Sequence, residues 1–309
     1  MVGRFAPSPS GRIHLGNILC CLLAWLSVRQ KGGRLVLRIE DLDTARCPRR
    51  YAEQMEADLQ WLGLDWDQGG LRDGENYYQS TRGEIYAQAL EKLQDLGLVY
   101  PCFCTRAELH AASAPHRSDG QVIYPGTCRG LSAEEAARRS ETRSPALRLR
   151  VPDEAVAFTD GHLGYYAENL ERDCGDFLLR RSDGMWAYQL AVVVDDAAMG
   201  VTEVVRGADL LSSTPRQLYL YRLLGLEAPE FYHFPLLLAP SGRRLSKRDA
   251  DAGLDDLADR CSPEEILGKL AYLAGFNPSA EPRSAADLLQ DFDWRKVPTQ
   301  DVRIPEGLF

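Results

Sequence analysis

"RFAPSPSGRIHLGN", residues Arg4–Asn17, sets two prolines, two serines, two glycines and a histidine between an apolar start and the run "ILCCLLAWLSV", Ile18–Val28. The start reads as a short strand ending at Pro7, and Ile18–Gln30 as a helix stopped by "KGG". "RLVLRIED" then reads as a second strand, Arg49–Leu62 as a second helix and Thr81–Leu96 as a third. Strand, helix, strand, helix predicts a parallel sheet with crossover helices, an α/β fold. In such sheets ligands sit beyond the carboxyl ends of strands, where loops lead into helix N-termini with unpaired N–H groups. The quoted loop occupies that place and predicts an anion site. Gly11 and Gly16 let backbone approach a ligand closely, the prolines stiffen the loop, and His14 brings a donor to the same point. Neither the Walker spacing nor G-x-G-x-x-G is present.

Outward from this stretch, 309 residues are enough for two domains or one large domain with an insertion. An apolar share of 45% and a charged share of 26% are ordinary globular values and exclude a disordered or fibrous chain. The run Ile18–Val28 has 11 residues against the roughly 20 of a membrane span. No export signal is read, which places the chain in the cytoplasm with no membrane partner. A net charge of −9 argues against non-specific coating of nucleic acid. Local basic stretches stand out: Arg129–Arg150 carries six arginines against three glutamates, and "GRRLSKR" four basic residues in seven.

From "GLVYPCFC" to about Asp183 the texture turns irregular, and the segment reads as an insertion. The pattern resumes with "MWAYQLAVVVDDAAMG", read as β-rich, then "VTEVVRGADLL" and a helix Thr214–Leu224. For that helix "TPRQ" offers Thr214 as N-cap, Pro215 in the first turn and Gln217 to close a capping box. "YHFPLLLAPSG" reads as a last buried strand, and "SPEEILGKLAYLAG" and "SAADLLQDF" as helices. The resulting division is 1–98 and 184–240 for the two halves of the parallel-sheet unit, 99–183 for the insertion, and 241–309 for a basic loop and short helical region.

The eight cysteines belong in a reducing compartment. Cys102, Cys104 and Cys128 make three thiolates, one short of a closed structural zinc site, with His110, His116 or Tyr124 as the fourth ligand; donor chemistry alone favours a histidine. At least one of the neighbours Cys20 and Cys21 is a core residue, and Cys47, Cys174 and Cys261 carry no assigned chemistry.

His14-Leu15-Gly16-Asn17 and, more than 200 residues later, Arg244-Leu245-Ser246-Lys247-Arg248 resemble the HIGH and KMSKS signatures of class I aminoacyl-tRNA synthetases. "RFAPSPSG", "LRIEDLD", "YQLAVVVDD", "VVRGADLLSSTPRQ" and "RLSKRD", in that order, resemble the glutamyl branch. The resemblance implies a Rossmann-like parallel sheet with a zinc-containing insertion. It implies ATP-dependent activation of L-glutamate to the adenylate, with His14 and Lys247 catalytic and Mg²⁺ sharing the phosphate charge. ATP would meet Pro7, His14, Gly16, Asn17, Arg244, Ser246 and Lys247. Glutamate would meet Arg4, Phe5, Ala6, Pro7, Ser8, Glu40, Tyr188 and Arg206, with arginine suited to carboxylates by its bidentate fork. "YPGTC" after "CFC" is similar to the zinc element of shortened members of the branch, which selects Tyr124 as fourth ligand. Only 62 residues follow Lys247, whereas ordinary members carry a long anticodon-binding region there. This points to the shortened members, which transfer glutamate to the queuosine base in the anticodon of tRNA(Asp), with Arg129–Arg150 guiding the RNA. A compact glutamyl-tRNA synthetase charging an acceptor end, a nucleotidyltransferase and a catalytically silent zinc RNA-binding module are the rival readings.

Overall fold

The computed structural model describes residues 1–111, 123–245 and 253–309. Strand β1 (Val2–Phe5), helix α1 (Leu15–Gln30), β2 (Arg34–Leu37), α2 (Arg49–Trp61), β3 (Gln68–Gly69) and α3 (Gly83–Asp95) come first. Next are β4 (Val99–Cys102), α4 (Arg106–Ala111), α5 (Ala133–Ser140), β5 (Ala146–Leu149), β6 (Ala155–Asp160), β7 (Gly164–Asn169) and β8 (Phe177–Arg180). The chain continues through α6 (Tyr188–Ala198), β9 (Glu203–Gly207), α7 (Thr214–Leu224), β10 (Glu230–Phe234) and β11 (Leu237–Leu238). It closes with α8 (Leu254–Ala258), α9 (Pro263–Leu273), α10 (Ala285–Asp291) and β12 (Val302–Arg303).

A parallel sheet in the order β10-β9-β1-β2-β3 forms the centre. From β1 the chain steps outward through β2 and β3, then returns to lay β9 and β10 on the other side. The order therefore reverses between β1 and β9, which opens a crevice at the carboxyl ends of those two strands. Helix α1 fills the space behind it; Leu15, Ile18, Leu19 and every residue from Cys21 to Val28 are buried, so its apolar surface runs all round and not along a stripe. Residues 99–180 carry a separate antiparallel sheet β4-β5-β8 and the hairpin β6–β7.

Four local readings are corrected. "YQLAVVVDDAA" is helix α6, not a β-rich segment: its Leu190–Asp196 stretch is continuously buried, and a short apolar run with three valines has no period that separates helix from strand. In α7 the flanking residue is Ser213 and makes no side-chain cap, because a 3₁₀ turn, Ala208–Ser213, runs straight into the helix. Thr214 Oγ1 instead accepts from Arg206, and Gln217 donates to Gln189. The single last strand is two: β10 stops before Pro235, which has no N–H to continue a ladder, and β11 pairs with β12. Helix α1 also starts three residues earlier than read, at Leu15, with His14 as its cap. No helix among the described residues is long and apolar enough to cross a membrane.

Candidate active site

At the crevice lies a cleft of about 540 Å³. Its wall includes Arg4, Phe5, Ala6, Pro7, Ser8, His14, Gly16, Asn17, Glu40, Tyr188, Arg206 and Arg244, together with Cys20, Asp209 and Leu245. Of the residues expected to meet ATP or glutamate, only Ser246 and Lys247 are not in this wall; they lie outside the described residues. The described residues on either side are at the cleft: Leu245 lines it, and Gly253 pairs across the backbone with His14. Leu254 N–H donates to Ile13 O at 3.1 Å, and Arg12 is ion-paired with Asp255, so the start of α8 is tied to the N-terminal loop.

His14 caps α1. Its Nδ1 accepts from Gly16 N–H at 3.1 Å while Asn17 Oδ1 accepts from His14 N–H at 3.3 Å, a reciprocal box that holds the imidazole at the positive end of the helix. Asn17 thus has a local task that a second histidine of the signature would perform differently. Cys20, one turn on, is a wall residue whose thiol is pushed by burial up to about 12, which makes it a poor nucleophile.

Buried charge surrounds the back of the cleft. Arg38 is fully buried between Asp196, at 2.5 Å, and Glu40, at 3.2 Å. Arg4 donates to Val205 O at 3.2 Å and lies 3.6 Å from Asp196. Asp195 accepts from Arg82, Gln79 and Tyr86. Burial raises the Glu40 carboxyl above its ordinary range, against the pull of Arg38 and Arg4. Arg206, on β9, forms no ion pair with Glu203, which is taken by Ser27 and Lys31. It donates from Nε to His233 Nε2 at 2.9 Å and from Nη2 to Thr214 Oγ1 at 2.8 Å. Its Nη1 is buried without a hydrogen-bond partner, and burial lowers the pKa of the guanidinium. A buried cation with a donor that has no hydrogen-bond partner is suited to an anionic ligand.

Residues 1–294 match the family model described as "tRNA synthetases class I (E and Q), catalytic domain". The chain belongs to that family. The family read from the motifs is the family found, and with it a ligase. Curated relatives include the "Glutamyl-Q tRNA(Asp) synthetase" of Symbiobacterium thermophilum, 52% identical over 99% of this chain and 96% of that protein. The protein of the same name from Nitratidesulfovibrio vulgaris is also 52% identical, over 99% and 96%. Among solved structures, a glutamate tRNA ligase from Elizabethkingia meningosepticum in complex with its amino acid aligns with TM-score 0.84 and 29% identity, covering 100% of this chain and 68% of that one.

Sequence reasoning gave no part in this cleft to Arg38, Asp195, Asp196, Asp160, His233 and Thr214, the last read only as a helix cap. "VVVDD" held a usable signal, since two acids closing a buried apolar run need cationic partners. The histidine in "YHFP" held none. The basic segment Arg129–Arg150 is largely used internally: Arg148 is buried over the Tyr124 ring, and Arg129 is engaged by Glu171 and Asp176.

A second cluster lies in residues 99–180. The sulfurs of Cys102, Cys104 and Cys128 all fall within 4.8 Å of one another. Cys104 Sγ is 3.7 Å from Cys128 Sγ, and the Tyr124 hydroxyl is 3.4 Å from Cys102 Sγ and 3.8 Å from Cys104 Sγ. Tetrahedral zinc with bonds of about 2.3 Å to sulfur and about 2.0 Å to oxygen has S–S edges of about 3.8 Å and S–O edges of about 3.5 Å. These three edges fit a zinc ion held by the four groups. Of the histidines weighed as fourth ligand, His116 and the side chain of His110 lie outside the described residues.

Proposed function

We propose that this protein activates L-glutamate with ATP and transfers it to the queuosine base in the anticodon of tRNA(Asp). The single observation that carries the first half is the arginine pair at the strand-order reversal, Arg4 and Arg206, the latter with a buried donor left for a ligand. The second half is supported by relatives matched along 96% of their length whose name states that activity.

In this reading a carboxylate of glutamate is held by Arg206 and Arg4, Tyr188 adds a hydroxyl, and Glu40 with the Ala6–Ser8 loop receives the ammonium. The carboxylate is already ionised at neutral pH, so its attack on the α-phosphorus needs no general base. The P–O bond to pyrophosphate breaks as the new one forms, and the work of the site is positioning and charge stabilisation. His14, at the N-terminus of α1, stabilises the phosphate oxygens; Asn17, Pro7, Gly16, Arg244 and Ser246 frame the nucleotide, and Lys247 holds the departing pyrophosphate. Cys102, Cys104, Cys128 and Tyr124 hold zinc with all four positions filled by protein, which gives it a structural task. Mg²⁺ would enter with the triphosphate whose charge it neutralises. The units 1–98 with 184–240, 99–183 and 241–309 divide these tasks between activation, acceptor handling and the lysine loop.

Incubation with ATP, labelled glutamate and total tRNA, followed by nuclease digestion and mapping of the labelled nucleotide, tests the proposal. Label on the queuosine of tRNA(Asp) supports it; label on the 3′ terminal adenosine identifies an acceptor-charging enzyme instead.

A further inference from the structure

We propose that Asp160 and His233 are positioning residues for glutamate recognition, fixing the imidazole tautomer that anchors Arg206. The proposal rests on the reading of Arg206 as a carboxylate-binding residue. It connects the hairpin β6–β7 to the substrate pocket through an unbroken line of buried hydrogen bonds.

Arg206 and His233 are register partners on the adjacent parallel strands β9 and β10. Both are buried, and His233 is fully enclosed. An arginine nitrogen only donates, so the 2.9 Å contact from Arg206 Nε requires His233 Nε2 to be the bare, accepting nitrogen. The proton of the neutral ring then sits on Nδ1, which lies 2.6 Å from Asp160 Oδ2. Burial, with the positive charge of Arg206 and Arg4 and despite Asp160, holds the imidazole down at about 4, so it is neutral at physiological pH. Thr214 Oγ1, 3.3 Å from Nε2, accepts from Arg206 Nη2 and completes the cradle. With Nε and Nη2 committed, the planar guanidinium is locked in one orientation, and its Nη1 is the donor left for the ligand.

Asp160 is itself oriented. Its Oδ1 accepts from three backbone N–H groups, those of His162 at 3.0 Å, Leu163 at 2.9 Å and His233 at 3.1 Å. Only an oxygen can take that position. In Asp160→Asn the amide oxygen therefore stays on the three N–H groups, and the NH₂ turns toward His233. Nδ1 must then accept, the ring proton moves to Nε2, and an N–H confronts the Arg206 Nε–H. Substitution of one isosteric atom thus removes the acceptor of Arg206 while retaining the hairpin's own hydrogen bonds.

His233→Gln supplies the control, because its amide oxygen replaces Nε2 as acceptor and has no tautomer to reverse. Four variants are compared in glutamate-dependent exchange between ATP and labelled pyrophosphate: Asp160→Asn, His233→Gln, the double variant and Arg206→Ala. Asp160→Asn is expected to raise the glutamate KM by about tenfold to a hundredfold with the ATP KM within twofold. His233→Gln raises it a few-fold, and adding Asp160→Asn to His233→Gln changes it no further. Imidazole ¹⁵N shifts should place the proton of His233 on Nδ1 in the parent and on Nε2 in Asp160→Asn. Should Asp160→Asn fail to accumulate, His233→Leu, which fills the space without an acceptor, carries the same expected rise. A glutamate KM unchanged in Asp160→Asn but raised in Arg206→Ala overturns the tautomer lock and leaves the pocket standing. Absence of any rise in Arg206→Ala overturns the pocket reading itself. A double variant as impaired as Asp160→Asn also overturns the lock.

Discussion

Arg206→Ala removes a side chain that is 3% exposed and whose Nη1 has no protein partner. The lost interaction is one or two charge-assisted hydrogen bonds to a substrate carboxylate, each contributing about 1.5–3 kcal/mol, which spans about 1.5–6 kcal/mol; the middle of that range, about 2–4 kcal/mol, is the expected loss. At about 1.4 kcal/mol per tenfold, the glutamate KM should rise about 30-fold to nearly a thousandfold. ATP meets other parts of the wall, so its KM should stay within about twofold of the parent value. The alanine also leaves His233 Nε2 and Thr214 Oγ1 without their donor, and a fall in the denaturant midpoint is expected; glutamate dependence is therefore measured below the onset of unfolding. Arg206→Lys retains a charge but not the fork and should recover only a minor part of the loss. The assay is initial-rate exchange of labelled pyrophosphate into ATP, with glutamate and ATP varied in turn. A glutamate KM within twofold of the parent, in protein shown to be folded, would refute the placement of a carboxylate on Arg206.

Stability should carry the mark of His233, whose ring is held near 4 against an ordinary 6.5. The unfolded chain binds a proton as pH falls through 6.5 while the folded ring stays neutral, so stability declines between pH 6.5 and 4 by about 3 kcal/mol and no further from this group. Urea midpoints measured across that window should show a shallower decline in His233→Gln. Chelator treatment should release close to one zinc per chain and loosen residues 99–180 while the parallel sheet keeps its hydrogen-exchange protection; a preparation free of zinc that is equally protected would contradict the four-ligand cluster. In Gly16→Ala the new Cβ would lie 3.1 Å from His14 Cε1. The ring must give by a few tenths of an ångström at its cap, and kcat for adenylate formation should fall about tenfold with glutamate KM little changed, as rapid-quench measurement would show.

The sheet and its flanking helices were legible because each element carried its own punctuation: Pro7 after β1, "KGG" after α1, Gly225 after α7. Helix α6 was not, since Val192–Val194 are enclosed on all sides and burial erases the period that separates helix from strand. In the cleft wall, His14 was legible because it sits in the loop that opens α1, whereas the roles of Arg4 and Glu40 came only through the family resemblance. Asp160 and His233 meet across 73 residues, and no spacing rule connects a hairpin tip to a strand five elements later. The charged core around Arg38 was missed for a related reason: nothing in "LRIED" distinguishes an arginine that is fully buried from one at a strand's solvent edge.

Glutamate-dependent pyrophosphate exchange in the complete absence of RNA most directly tests whether the N-terminal loop and the lysine loop form one adenylate-forming site. Robust exchange with glutamate, little with glutamine or aspartate, and its collapse in Lys247→Ala are predicted. No exchange under any condition, or exchange that starts only when tRNA is added, would contradict the account.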